Sequence, residues 1–204
     1  MHTFIRRRLF LSALVLASAA SPVLAQDNVR VRGTIERIDS ATLYVKTRDG
    51  VDYKIVPADK PVYMAIVKAS EADLKPGTFV GSGALPGPDG SLRALEVHIF
   101  PEAMRGTGEG HRPWDGGAQA TMTNANVEAA VAGVDGHMLT MKYKDGEKKL
   151  LVTPETAIVS YMPGNPAELK PGTKIFIAAA QKQADGSLQA ARISYGRDGL
   201  TPPM

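Results

Sequence analysis

The sequence predicts an all-β protein: a tandem duplication of a six-stranded small barrel of the OB-like or SH3-like kind, each copy with one short helical turn. Three observations predict it. Apolar residues alternate with polar ones over short stretches, the period of a half-buried strand. Glycine-containing corners separate those stretches at short intervals. The third observation is a repeat. Leu74-Lys75-Pro76-Gly77-Thr78 returns as Leu169-Lys170-Pro171-Gly172-Thr173, and Asp89-Gly90-Ser91-Leu92 returns as Asp185-Gly186-Ser187-Leu188. Leu43, Lys46, Asp49 and Gly50 match Leu139, Lys142, Asp145 and Gly146. A period of about 95 residues is too long for a solenoid and fits a small domain.

The first unit spans residues 27–100. Val29, Val31, Gly33 and Ile35 alternate with Arg30, Arg32, Thr34 and Glu36, which predicts an opening strand. Thr42 to Thr47 is the second, with Leu43 and Val45 on one face. Arg48-Asp49-Gly50 marks a hairpin, because glycine accepts the positive φ of the turn. Asp52 to Val56 returns as a third strand, and the apolar run Val62 to Val67 is a fourth, buried one. Ser70 to Leu74 reads as a helical turn with Ser70 as N-cap and Asp73 at its third position. Lys75-Pro76-Gly77 stops it. Thr78 to Leu85 and Leu92 to Phe100 complete the unit around a turn at Pro88-Asp89-Gly90.

The second unit, residues 126–196, repeats the order. Its strands are Val127 to Val134, Leu139 to Tyr143, Lys149 to Val152, Ala157 to Met162, Lys174 to Gln181 and Leu188 to Ser194. Pro166 to Leu169 supplies the helical turn, and residues 197–204 are a tail. With only 6% aromatic residues, Val, Leu, Ile and Met must fill the cores. Units of about 70 residues support modest cores, so the two are expected to pack together.

Residues 1–25 read as a secretory signal: Arg6 to Arg8, an apolar stretch from Leu9 to Ala20, and small residues at Val23 and Ala25 before a cut at Gln26. Arg7-Arg8-Leu9-Phe10-Leu11 also fits the twin-arginine pattern. The mature chain is then expected in the periplasm or outside the cell. The leader accounts for the whole excess charge: 24 basic and 21 acidic side chains give +3 overall, and three of the arginines are in it. The mature chain has no basic stripe of the kind nucleic acid requires. With no cysteine, neither a disulfide nor a lipid-anchored cysteine is available. No stretch after the leader is apolar for the 20 or so residues a spanning helix needs.

The glycine in the first strand, Leu43-x-Val45-Lys46-x-x-Asp49-Gly50, Leu74 to Thr78 and Asp89-Gly90-Ser91-Leu92-x-Ala94 together resemble a bacterial domain family of unknown function with an OB-like small barrel. The mature chain is similar throughout to exported proteobacterial proteins with two such units. They share the connector seen here from Ile99 to Asp115. The resemblance implies a fold and a compartment, and no catalytic residues. Some such relatives are labelled metal ABC transporter permease, a role that needs several spanning helices.

The connector, residues 101–125, concentrates the chemistry. It holds the only tryptophan, Trp114, with Glu102, Arg105, Glu109, His111, Arg112 and Asp115. Read plainly, it is a tether that packs Phe100, Met104 and Trp114 between the units. Read as a site, Arg105, His111, Arg112 and Trp114 bind a small ligand or a periplasmic protein at the inter-unit groove. A metal version uses Glu96 and His98, two apart on one strand and so on one face, with Glu109 and His111 from the connector. The plain alternative for Glu96 and His98 is a solvated strand face. His137 reads as an exposed turn residue, and Met64, Met141 and Met162 as core filler. Met138 and Met141 face opposite sides of a strand, which argues against a copper site.

No catalytic set emerges. Gly106 to Gly110 lacks the Lys-Ser/Thr of a phosphate loop, and Gly81-Ser82-Gly83 lies within a strand rather than on a nucleophile elbow. Three readings remain open: a non-catalytic binding protein without a cofactor, a handler of divalent metal, and an enzyme with its acids in the connector.

Overall fold

The computed structural model describes residues 28–87, 89–134 and 136–204. The leader lies outside the described residues, as does Pro88 of one expected turn. Twelve strands form: β1 Asn28–Asp39, β2 Thr42–Thr47, β3 Asp52–Lys68, β4 Phe79–Pro86, β5 Leu92–Ile99, β6 Gly110–Pro113, β7 Thr121–Gly133, β8 Gly136–Tyr143, β9 Gly146–Val152, β10 Ala157–Pro163, β11 Lys174–Lys182 and β12 Leu188–Gly196. The helical turns are single 3-10 turns.

The turn chemistry follows the local signals. Gly50 has φ +85° at the β2–β3 hairpin. At both Asp-Gly-Ser corners the aspartate accepts from the serine N–H and hydroxyl: Asp89 from Ser91, and Asp185 from Ser187. Gly90 and Gly186 both have φ +81°. Ser70 and Asp73 cap their turn, Asp73 accepting from the Ser70 N–H at 2.9 Å.

Two expectations about strands change. Asp52–Val56 and Val62–Val67 are one strand, β3, and β10 lies outside the second ring, so each barrel closes with five strands rather than six. Pro57 and Pro61 suggest a break in sequence. The chain tolerates them because the β3–β12 register shifts between Ala190 and Arg192, near the prolines. The residues 101–125 are also not all connector: β6 lies within them, and β7 starts at Thr121.

The larger change is in which strands close each barrel. One ring runs β1-β2-β3-β12-β11 and back to β1. The other runs β7-β8-β9-β5-β4 and back to β7. Every pair is antiparallel except β3–β12 and β9–β5, the arrangement of a five-stranded OB-like Greek key. Each barrel therefore takes three strands from one half of the sequence and two from the other. The repeated Leu-Lys-Pro-Gly-Thr segments make the same crossing. Gly77 N–H donates to Val127 O and Gly172 N–H to Ile35 O, each at 2.8 Å. The matching registers Leu188↔Ile55 and Leu92↔Leu150 lie 95–96 residues apart in number.

Each barrel has its own aliphatic core. Val31, Ile35, Leu43, Ile55, Ile175 and Ile193 fill the first, with Tyr195. Val80, Val97, Val127, Leu139, Met141 and Leu150 fill the second. A third cluster sits where β10 joins β3 antiparallel and β5 parallel, and it gathers Phe79, Phe100 and Tyr161 with Ile66 and Val159. Three of the scarce aromatics are thus spent between the barrels. Met162, expected in the core, is 45% exposed, because its neighbour Tyr161 takes the inward side of β10. His137 is in β8, not a free turn, and its Nδ1 lies 2.7 Å from a Glu71 carboxylate oxygen.

Candidate functional site at the inter-barrel cavity

A cavity of about 590 Å³ opens between the barrels under the connector. Its floor is aromatic. The His98 ring meets Phe100 and Tyr161 edge-on at 4.8 and 5.9 Å, and Phe100 stacks on Tyr161 at 5.6 Å. The first barrel lends small side chains, Ala178, Ala179 and Ala191, beside Phe176. Met122 and Asn124 of β7 form the opposite wall, and Trp114 lies in the connector above. The volume is that of an ordinary small-molecule site.

Two glycines of β4 make this geometry possible. A Cβ on Gly81 would lie 2.1 Å from His98 Nε2, and one on Gly83 would lie 2.5 Å from the Trp114 ring. Glycine inside a strand marks close approach. Gly81-Ser82-Gly83 therefore makes room for the imidazole and the indole, while Ser82 donates to Glu96 O at 2.6 Å. Gly116 also lies against Trp114.

The connector is pinned on both sides. Toward the second barrel, Arg105 binds both carboxylate oxygens of Glu102, and also Gly77 O and the Asn126 side chain. Asn124 Nδ2 donates to Thr107 O at 2.9 Å. Toward the first barrel, Asp115 accepts from Arg30 and twice from Arg32. The Arg32 hydrogen bonds, with the charges of Arg32 and Arg30, hold the Asp115 carboxyl down to about 2.

Glu96 and His98 do share a face of β5, as their spacing requires, but they are buried rather than solvated: 1% and 4% exposed. Phe100 and Tyr161 pack against the His98 ring on that face. Their closest atoms, Glu96 Oε1 and His98 Nδ1, are 3.8 Å apart, too far for a hydrogen bond. Burial raises the Glu96 carboxyl to about 8, opposed by the charge of Arg32. Burial, then the charge of Arg112, lowers His98 to about 3. Both groups are therefore neutral at pH 7. Glu96 Oε1 and Oε2, His98 Nδ1 and Asn124 Oδ1 are all buried without a hydrogen-bond partner.

The other two residues of the metal quartet point elsewhere. Glu109 accepts from the Lys144 N–H in the turn between β8 and β9, and His111 Nδ1 bonds Thr123 Oγ1 at 2.8 Å. Among the described residues, no group of three His, Cys, Asp or Glu comes together to hold a metal. Of the four expected ligand-binding residues, Trp114 and Arg112 line the cavity, whereas Arg105 and His111 do not. Arg105 anchors the connector instead.

Sequence reading missed Lys60, Arg192, Tyr161, Phe176 and Asn124, which line the cavity from five different strands. No linear pattern joins them. Paired glycines inside β4 were the one local signal. Among the described residues, no helix is long and apolar enough to cross a membrane. No protein-family model, no curated protein and no solved structure matches the chain.

Proposed function

We propose that this is an exported, non-catalytic binding protein that takes a small molecule with an apolar body into the cavity between its barrels. One observation carries the reading: a cavity of about 590 Å³ with Phe100, Tyr161, Phe176 and Trp114 around it, between two closed barrels. Aromatic surface of this kind binds flat or hydrocarbon groups by excluding water. The Arg6 to Ala25 leader supports export. The three pins on the connector support a preformed site, which spares a ligand the cost of ordering it.

The test is a titration with N-phenyl-1-naphthylamine, a neutral apolar dye that brightens on leaving water. Saturable binding of about one equivalent is expected. Ala191→Trp, which places an indole where a methyl now lines the cavity, should abolish it in a protein with an unchanged circular dichroism spectrum. Absence of binding, or equal binding by Ala191→Trp, refutes the reading.

A further inference from the structure

We infer that the preferred ligand is an organic anion, its apolar body between the barrels and its oxyanion head held by Arg112, Arg192 and Lys60. The inference rests on the cavity being a ligand site and adds the charge of what enters it. Four cationic side chains line the cavity, Arg30, Lys60, Arg112 and Arg192, and no Asp or Glu side chain does; Met204 also lines it, with its carbonyl oxygen accepting from Arg32. Arg30 is committed to Asp115. The other three have no ion-pair partner among the described residues. Arg112 makes a single side-chain hydrogen bond, to Gly108 O at 2.7 Å, which leaves most of its guanidinium donors free.

These cations come from separate elements. Lys60 lies on β3, Arg192 on β12 and Arg112 on β6, so only the assembled cavity brings them together. Arg112 is itself disfavoured by burial and by the charge of Arg30. The titratable rings of the cavity cannot relieve this, because His98 and Tyr161 are neutral walls. A ligand oxyanion would supply the missing countercharge in a half-enclosed space, where charge-assisted hydrogen bonds are strong.

The unpartnered Asn124 Oδ1 and His98 Nδ1 have no accessible surface, so they add no requirement on the ligand. The fitting chemistry is an aromatic or hydrocarbon body with a carboxylate, sulfonate or phosphate head.

The full mature chain can be tested with two dyes that share one skeleton. 8-Anilino-1-naphthalenesulfonate carries the donor N–H and the oxyanion, while N-phenyl-1-naphthylamine carries the N–H alone. The sulfonate should bind roughly tenfold or more tighter, and added salt should weaken it selectively. Arg112→Gln and Arg192→Gln should each remove about tenfold of that preference, read as the ratio of the two dyes' affinities in each variant, and Arg192→Lys should restore part of it. Arg192 makes no side-chain hydrogen bond to the described residues, so its variants isolate charge from folding. Equal affinity for the two dyes overturns the anion inference and leaves the cavity reading standing. A sulfonate preference unchanged in both Arg→Gln variants and in Lys60→Gln also overturns it. Failure of both dyes to bind overturns the cavity reading and this inference together.

Discussion

The buried pair Glu96 and His98 shapes the pH dependence of stability in a calculable way. Glu96 is raised from its ordinary 4.5 to about 8, mainly by burial. Above pH 4.5 the unfolded chain releases this proton while the native protein keeps it, so stability falls by about 1.4 kcal/mol per pH unit until the native group also ionises near 8. The full loss is about 5 kcal/mol, and about 3 kcal/mol has gone by pH 7. His98 acts in the opposite sense. It is lowered from 6.5 to about 3, so its contribution is complete above pH 6.5 and is lost as pH falls toward 3. From pH 4.5 to 6.5 the two slopes cancel. Glu96→Gln removes one slope and adds a buried amide at a pH-independent cost of about 1–3 kcal/mol. Urea unfolding of both proteins at several values from pH 4.5 to 8 is the assay. Glu96→Gln should gain on the wild type by about 1.4 kcal/mol per pH unit across that window. Taking the difference cancels the other titrating groups. Parallel profiles would refute the reasoning, because they would mean Glu96 ionises as readily folded as unfolded.

Two further outcomes follow from packing and topology. Gly83→Val drives a side chain into the Trp114 ring, so Trp114 emission should shift red and stability fall by about 1–3 kcal/mol; unchanged emission would mean the indole is not seated on β4. Because each barrel holds strands from both halves of the chain, urea unfolding should be one transition. It should appear at the same midpoint by Trp114 fluorescence and by far-ultraviolet circular dichroism, and two separated midpoints would argue for barrels that fold independently.

Much of the local structure was legible in the chain because local forces determine it. Alternation placed Val31, Ile35, Leu43 and Val45 inward, and all four are buried. The Thr42–Thr47 strand, the Asp-Gly-Ser corners and the Ser70–Asp73 cap each depend on residues within a few positions of one another. The shared face of Glu96 and His98 followed from the two-residue period of a strand, but their burial did not. That depends on β10 pairing with β5 and setting Tyr161 against His98, a long-range event. Arg105 and His111 stood out by composition, yet their hydrogen bonds spend them on Glu102 and Thr123.

By itself, the sequence determined strands, turns, repeated motifs and an all-β class. Tertiary structure alone decided which strands share a barrel. β4 and β5 carry the same alternation whether they close on β1 to β3 or on β7 to β9, so periodicity cannot distinguish the partners. The choice lies in long-range contacts: Gly77 bonded to Val127, Gly172 to Ile35, and β10 laid between β3 and β5. The same assembly draws Lys60, Arg112 and Arg192 from three distant segments to one cavity. Such a site has no linear signature, because side chains far apart in sequence acquire a common surface only when the barrels close.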